Sequence, residues 1–379
     1  MELNTIRTQI DTLDDEMLAL FLRRMQLSEE VAAYKRQHAL PITNKTRERE
    51  VLAKIMDEAG DYGPYAFQLF SMLMELSKAR QSELTSGPSP VRTIVEQAQA
   101  APGAVFPRMA TVACQGTEGG NSQAACDKLF PMGKLMYVKS FEAVFNAVES
   151  GLCQYGVLPI ENSSNGSVRA VYELLMKKRF FVVRGTSLCI RHELMAKPGA
   201  DMQHITEIYS HEQALGQCSR FLGSLGPGVK IVPCSNTAVA AKSVAESDNP
   251  NAAAIASHAC AGLYGLTVLN DSIQDSENNY TRFVCITKKP VLYAGANRIS
   301  LILACDNKPG ALNGILNKLA AHGVNMSKLE SCPVTGRNFE FMFFLELDAA
   351  LEEPGVLPML EELERGTESF VFLGCYAMV

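Results

Sequence analysis

No run of apolar residues in this 379-residue sequence approaches the ~18 that a membrane-spanning helix requires, so no helical membrane anchor is expected. The first residues, Met1 to Asn4, offer neither a basic cluster nor an apolar stretch, and no secretory leader is expected. Positive charge is in the minority: 35 Lys and Arg stand against 41 Asp and Glu, a formal net charge of -6. General affinity for nucleic acid is therefore not expected, and any anion site must be assembled from local Arg and Lys clusters. The eleven cysteines contain no Cys-x-x-Cys pair, and none has zinc-ligand spacing with the six histidines. An odd cysteine count without a leader points to reduced thiols and a cytoplasmic protein. The lysine of a P-loop is missing, as is a nucleophile elbow with a plausible triad. No metal or organic cofactor is expected, and no short-period repeat or low-complexity segment occurs.

What is present falls into three blocks. Residues 3–37 hold no Gly or Pro, and apolar side chains recur at Leu3, Ile6, Ile10, Leu13, Met17, Leu20, Leu27, Val31 and Tyr34. That spacing predicts one long helix, which needs partner helices to bury its seam. Asn44 is placed to cap a second helix through about Ala59, and a third is expected from Tyr65 to about Leu84. Ser86-Gly-Pro-Ser-Pro90 then punctuates the chain, and residues 87–107 read as a linker. From Ala110 short apolar runs alternate with helical stretches, which predicts an α/β domain over 108–288. The last block, 296–379, reads strand-helix-strand-strand-helix-strand, a ferredoxin-like split motif with its hairpin turn at Thr335-Gly-Arg-Asn338.

The helical block puts cations where apolar residues belong. Arg24 interrupts the seam, and Lys35, eleven residues on, returns to nearly the same face. The second helix opens with Arg47 and Glu48, and the third carries Ser77 and Gln81 four residues apart on one face. Several cations in a core are costly unless an anion meets them. Arg7 lies 17 residues before Arg24, about 25 Å along a straight helix, too far for one small ligand to touch both. Antiparallel pairing of two chains brings Arg7 of one to the Arg24–Lys35 region of the other, which implies an obligate dimer with shared sites.

In this order and spacing, Arg7, Arg24, Lys35, Arg47, Glu48, Ser77 and Gln81 resemble the all-helical chorismate mutase family over residues 1–86. The resemblance implies a three-helix, intertwined dimer that rearranges chorismate to prephenate. Arg7 of the partner chain and Arg24 would clamp the two carboxylates, and Lys35 and Gln81 would donate to the ether oxygen as its bond breaks. Glu48 would accept from the substrate hydroxyl, Arg47 would support the carboxylate site, and Ser77 would complete it. Asn44 stands where the family often has Asp.

In the middle block, polar clusters sit at strand ends: Gln115-Gly-Thr-Glu-Gly-Gly-Asn-Ser122, Pro159-Ile-Glu-Asn-Ser-Ser-Asn-Gly166, Ser210-His-Glu-Gln213, Cys234-Ser-Asn-Thr237 and Asn279-Tyr-Thr281. Open α/β sheets bind ligands at such loops. These segments, with Leu263-Tyr-Gly-Leu266 and the Thr-Arg-Phe element at Thr281, resemble prephenate dehydratase over residues 110–287. The resemblance implies two α/β subdomains around a cleft, like periplasmic binding proteins, the second at about 186–264. It implies conversion of prephenate to phenylpyruvate with loss of water and carbon dioxide. Thr281 would be the catalytic hydroxyl and Phe283 part of the apolar wall. Asn162, Ser163, His211, Gln213, Ser235, Thr237 and Asn279 are candidates for holding the substrate, and Arg282 reads as structural.

The final block resembles an ACT domain, an amino-acid-binding module, through Lys308-Pro-Gly-Ala-Leu-Asn-Gly-Ile-Leu316 and Leu329-Glu-Ser-Cys-Pro-Val334. Cys332 replaces the family's Arg, and Asn313 a commoner Val. Gly310, Ala311, Leu312, Glu330 and Ser331 would border a phenylalanine site. The order of the three blocks resembles the bifunctional chorismate mutase–prephenate dehydratases, and it implies feedback by phenylalanine on a homodimer or higher homo-oligomer. Two alternatives stand: a second site acting on arogenate, or a non-catalytic amino-acid sensor.

Overall fold

The computed structural model describes residues 3–85, 87–100, 103–305, 307, 310–333 and 341–379. The expected turn at Thr335–Asn338, and Lys308 and Pro309 of the ACT loop, lie outside the described residues.

Leu3–Gln37 (α1), Lys45–Glu58 (α2) and Gly63–Thr85 (α3) form the helical unit. Asn44 caps α2 by accepting from Arg47 N at 3.1 Å. The unit has almost no apolar interior of its own. Among the described residues of α1 only Ser28 and Ala32 are buried. Its seam is bare, with exposures from 49% at Ile10 to 65% at Leu20 among Leu3, Ile10, Leu13, Met17 and Leu20.

The segment expected to be a linker is more than that. Ser89 caps a fourth helix, Pro90–Ala98 (α4), with Pro90 in the first turn where its missing N–H costs nothing. Val91, Val95 and Ala98 bury in the core of the C-terminal domain. Arg92 grips Glu361 there through Nε at 2.8 Å and Nη2 at 2.7 Å. The 3.6-residue spacing of Val91, Val95 and Ala98 carried this signal, but the run Ser86-Gly-Pro-Ser-Pro90 just ahead of it hid it.

The α/β unit begins with Thr111–Gln115 (β1), Asn121–Leu129 (α5), Lys134–Val138 (β2), Phe141–Glu149 (α6), Tyr155–Asn162 (β3), Gly166–Ser167 (β4), Arg169–Lys178 (α7) and Phe181–Cys189 (β5). The chain then crosses to a second subdomain of Glu193–Ala196 (β6), Glu207–His211 (β7), Glu212–Gln217 (α8), Ser219–Ser224 (α9), Lys230–Cys234 (β8), Thr237–Glu246 (α10), Ala252–Ala256 (β9), His258–Tyr264 (α11) and Thr267–Asn270 (β10). It returns with Tyr280–Thr287 (β11), which slots antiparallel between β3 and β5. The first sheet runs β2-β1-β3-β11-β5, with β4 paired to β3, and the second runs β10-β6-β9-β7-β8. The second subdomain therefore starts and ends later than the expected 186–264. Pairing with β11 holds β5 in the first sheet as far as Cys189, and the return strand β10 was not foreseen.

The C-terminal unit consists of Arg298–Ala304 (β12), Ala311–Ala321 (α12), Asn325–Pro333 (β13), Phe341–Asp348 (β14), Val356–Arg365 (α13) and Ser369–Tyr376 (β15). Its antiparallel sheet, ordered β13-β14-β12-β15, is the expected ferredoxin-like arrangement. Strand alternation divides its faces. Phe343, Leu345 and Leu347 meet the helices, whereas Met342 and Phe344 join the core of the first α/β subdomain. The contact is intimate. Gly185 N donates to Ala377 O at 2.9 Å and Val379 N to Gly185 O at 3.0 Å. At Gly374, with φ of 135°, a Cβ would come within 2.2 Å of Val182 O.

Candidate active sites

Arg24, Lys35, Asn44, Arg47, Glu48, Ser77 and Gln81 line one cavity of about 270 Å³ between the three helices. Seven of the eight residues expected in the first site thus come together. The eighth, Arg7, is exposed near the start of α1 and is not among the lining residues. Arg24 sits on α1 facing α3, where Nη1 donates to Leu73 O at 2.7 Å and to the hydroxyl of Ser77. Burial draws the Arg24 guanidinium down from its ordinary value. Ser77 spends its own proton on Leu73 O at 2.8 Å, so its task in this arrangement is to hold Arg24. Lys35 Nζ donates to Ile42 O at 2.5 Å and to Gln81 Oε1 at 3.1 Å. A lysine can only donate, which fixes the Gln81 amide with its NH2 free toward the cavity. Arg47 lies at the rim and meets Glu50 at 3.4 Å.

Lys78 also lines this cavity and was missed in the sequence. Its Nζ donates to Glu48 Oε2 at 3.2 Å and Glu75 Oε1 at 2.6 Å. Burial alone would lower this ammonium, but Glu75 and then Glu48 outweigh it and hold the group above its ordinary value. The signal was available, since Lys78 precedes Gln81 by three residues. The lining then holds four cations, Arg24, Lys35, Arg47 and Lys78, against one carboxylate, Glu48. That surplus suits a small polyanion.

The second site is built where β3 and β11 run side by side, with Thr281 opposite Asn162. Asn162 Oδ1 accepts the backbone N–H groups of Ser164 and Asn165, each at 3.0 Å. Those groups can only donate, so the amide nitrogen must face the other way. It donates to Thr281 Oγ1 at 2.9 Å and to Asn279 Oδ1 at 2.9 Å. Thr281 therefore accepts from inside the protein and keeps its proton to give outward. Asn279, 2% exposed, passes the same polarity on by donating to Gln217 Oε1 at 2.9 Å. Ser163 is occupied with the backbone, donating to Asn278 O at 2.7 Å and accepting from Tyr280 N at 2.9 Å.

Gln217 was not foreseen, although it follows Gln213 by four residues and shares its helix face. His211 caps α8, its Nδ1 accepting from Gln213 N at 3.3 Å. Gln213 and Ser235 are exposed and Thr237 opens α10. These four sit at the ends of β7 and β8 in the second subdomain and make no side-chain hydrogen bond to Thr281. Phe283 is 2% exposed and packs in the core beneath the sheet with Val112, Cys114 and Cys126. The Gly-rich loop crosses between subdomains, Gly119 O accepting from Ser257 Oγ at 3.1 Å and Glu118 O from Tyr264 OH at 3.0 Å.

Arg282, next to Thr281, reaches into the C-terminal unit. Nη1 meets Glu161 at 2.8 Å and Nη2 meets the buried Glu346 at 2.7 Å. Burial pulls Arg282 down, and the carboxylates, Glu346 foremost, more than restore it. Lys328 adds a bond to Glu161 at 2.8 Å. Glu330 accepts from Ser167 and meets Lys328 at 3.4 Å, so its side chain faces the dehydratase-like unit. Ser331 is exposed on the opposite face of β13, and Gly310, with φ of 82°, caps α12 ahead of Ala311 and Leu312.

Comparison with known proteins agrees with this anatomy. The chorismate mutase type II family matches residues 6–82, prephenate dehydratase 112–291 and the ACT domain 299–365. The chain is 32% identical over 380 residues to the bifunctional chorismate mutase/prephenate dehydratase of Escherichia coli, covering 98% of this chain and 95% of that protein. It is 34% identical over 283 residues to arogenate dehydratase/prephenate dehydratase 1 of Arabidopsis thaliana, covering 70% of this chain and 72% of that one. Among solved structures it resembles prephenate dehydratase from Arthrobacter aurescens in complex with L-Phe, with a TM-score of 0.65, 29% identity, and coverage of 70% of this chain and 89% of that one. This chain belongs to the family of bifunctional chorismate mutase/prephenate dehydratases that end in an ACT domain.

Proposed function

We propose that the helical cavity rearranges chorismate to prephenate and that the Thr281 site converts prephenate to phenylpyruvate. The observation that carries the first step is the convergence of Arg24, Lys35, Glu48 and Gln81 on one cavity. Arg24 and the partner subunit's Arg7 clamp the substrate carboxylates, with Arg47 at the rim. The free NH2 of Gln81 and the ammonium of Lys35 meet the ether oxygen, where charge grows as the C–O bond breaks. Glu48, steadied by Lys78, accepts from the ring hydroxyl. The rest is conformational: the cavity holds the substrate with its reacting carbons together.

At the second site the Thr281 hydroxyl donates to the departing hydroxyl, and Asn162, donating to Oγ1, makes that proton more available. The ring hydroxyl leaves with the C–O bonding pair, hydrogen-bonded by Thr281, and takes a proton from solvent to become water, while the ring carboxylate departs as carbon dioxide and its C–C bonding pair enters the ring and makes it aromatic. Asn279 and Gln217 hold Asn162 and the substrate in place, while His211, Gln213, Ser235 and Thr237 line the facing subdomain.

The assembly is a homodimer or larger, because the bare seam of α1 needs a second copy and Arg7 does not line the cavity of its own chain. Phenylalanine binds the ACT unit around Gly310, Ala311, Leu312 and Ser331, with Glu330 linking that unit to the dehydratase, and lowers activity. The odd count of eleven cysteines suits a reducing cytoplasm. The test is to supply chorismate to the pure protein and follow phenylpyruvate with and without phenylalanine. Prephenate that accumulates unchanged supports arogenate as the second substrate, and chorismate left intact supports a sensor.

A further inference from the structure

The hydrogen-bond chain behind Thr281 does not stop at Gln217. Gln217 Oε1 also meets Nε2 of His192 at 2.8 Å. Because the polarity of Asn162 is set by two backbone donors, Asn279 must donate to Gln217, and Gln217 must present its oxygen. His192 then carries its proton on Nε2. This histidine is 3% exposed and sits in the crossover between β5 and β6. Its backbone N–H donates to Gln274 Oε1 at 3.0 Å, and its carbonyl accepts from Ile273 N at 2.9 Å. Gln274 and Ile273 belong to the other crossover, from β10 to β11. Asp275 in that crossover donates its N–H to Gln217 O at 2.7 Å. His192 therefore touches both connections between subdomains and the side chain that carries polarity to the reacting hydroxyl.

We infer that His192 is a positioning residue of the dehydratase, fixing Gln217 through Nε2–H and, through Asn279 and Asn162, the direction in which Thr281 gives its proton. The inference rests on Thr281 being the donor. Burial holds the imidazole below its ordinary value against the opposing pull of Gln217, so it stands neutral at pH 7. Its role is a fixed donor and not a proton shuttle. Without it, Gln217 keeps only the bond from Asn279, and its amide can swing or turn over.

Four variants of the full chain decide the matter, assayed for both activities with enzyme in excess where turnover is slow. His192→Phe is expected to lower dehydratase kcat about tenfold with KM within about twofold, the size of one lost buried hydrogen bond acting on the transition state. His192→Gln, which offers an amide donor at similar reach, is expected to recover most of that loss. In a Gln217→Ala background His192→Phe is expected to cost nothing further, because the path already lacks its next member. Mutase activity stays at the wild-type level in each, and a KM for prephenate within about twofold of wild type reports that the dehydratase unit is folded. Retention of full dehydratase activity by His192→Phe, an equal loss in His192→Gln, or a full additional loss on top of Gln217→Ala overturns the inference. Thr281→Ala is the control: if it keeps dehydratase activity, the assignment of Thr281 itself is wrong, and His192 falls with it for that separate reason.

Discussion

Asn162 and Gln81 play matching parts in the two sites. Each has a neighbour that cannot reverse its hydrogen-bonding sense: backbone N–H groups for Asn162, and for Gln81 the lysine itself. From those fixed points the direction of every following side chain is determined. In the reactions proposed for them, both sites offer donors in advance to an oxygen that gains charge, which is where preorganised polarity contributes most. Gln81→Ala is expected to lower mutase kcat by at least about a hundredfold while sparing the dehydratase, and Thr281→Ala to do the reverse. Separate assays with chorismate and prephenate check this, and parallel loss of both activities in either variant contradicts independent sites. At this scale the sequence was informative for the helical site because helix periodicity turns spacing into a face. It did not disclose Gln217 or His192, whose partners lie 62 and 25 residues away.

Elements whose character depends on burial were legible where burial was strong. The wholly buried Ala252–Ala256 strand was recognisable as an apolar run, whereas β2, largely exposed, had no such run to announce it. The helix α4 was obscured for another reason: its partner Glu361 is 269 residues distant from Arg92. Two predictions belong here. Glu346→Gln is expected to cost about 3 kcal/mol in urea denaturation, since it leaves Arg282 and Arg298 short of a buried carboxylate. Replacing Arg282 and Glu346 together by Met and Leu is expected to cost less than that, and an additive loss contradicts the pairing. Gly374→Ala places a Cβ against Val182 O in a backbone conformation that suits glycine. It is expected to destabilise the docking of β15 by about 2 kcal/mol or more, read as a lower melting temperature.

Across the whole molecule, the ACT sheet is a wall of the dehydratase as well as a domain. Its face away from the helices covers β3, β11 and α7, and Tyr172 and Phe344 pack with ring centroids 4.4 Å apart. Arg282 lies one residue from Thr281 and ends on Glu346 of that sheet, so any tilt of the sheet is felt at the strand that carries Thr281. The helical unit presents the opposite situation, a long apolar seam with nothing on it. If Arg7 serves the partner's cavity, Arg7→Ala and Arg24→Ala chains are each inactive as mutases. Mixed after unfolding and refolding together, they are expected to regain about a quarter of wild-type activity, because half the dimers are mixed and each of those has one intact site. Absence of any regain contradicts shared sites.

The amino-acid sequence by itself determined the three units, their order, the long helix and seven side chains of the first cavity. These follow from local periodicity, capping and short motifs, which act over a few residues. Only the tertiary structure decided that α4 belongs to the ACT core, that Glu330 faces the dehydratase, and that a chain of amides runs from Thr281 to His192. Each of those depends on hydrogen bonds and contacts between residues far apart in sequence, whose geometry exists only once the sheets are stacked.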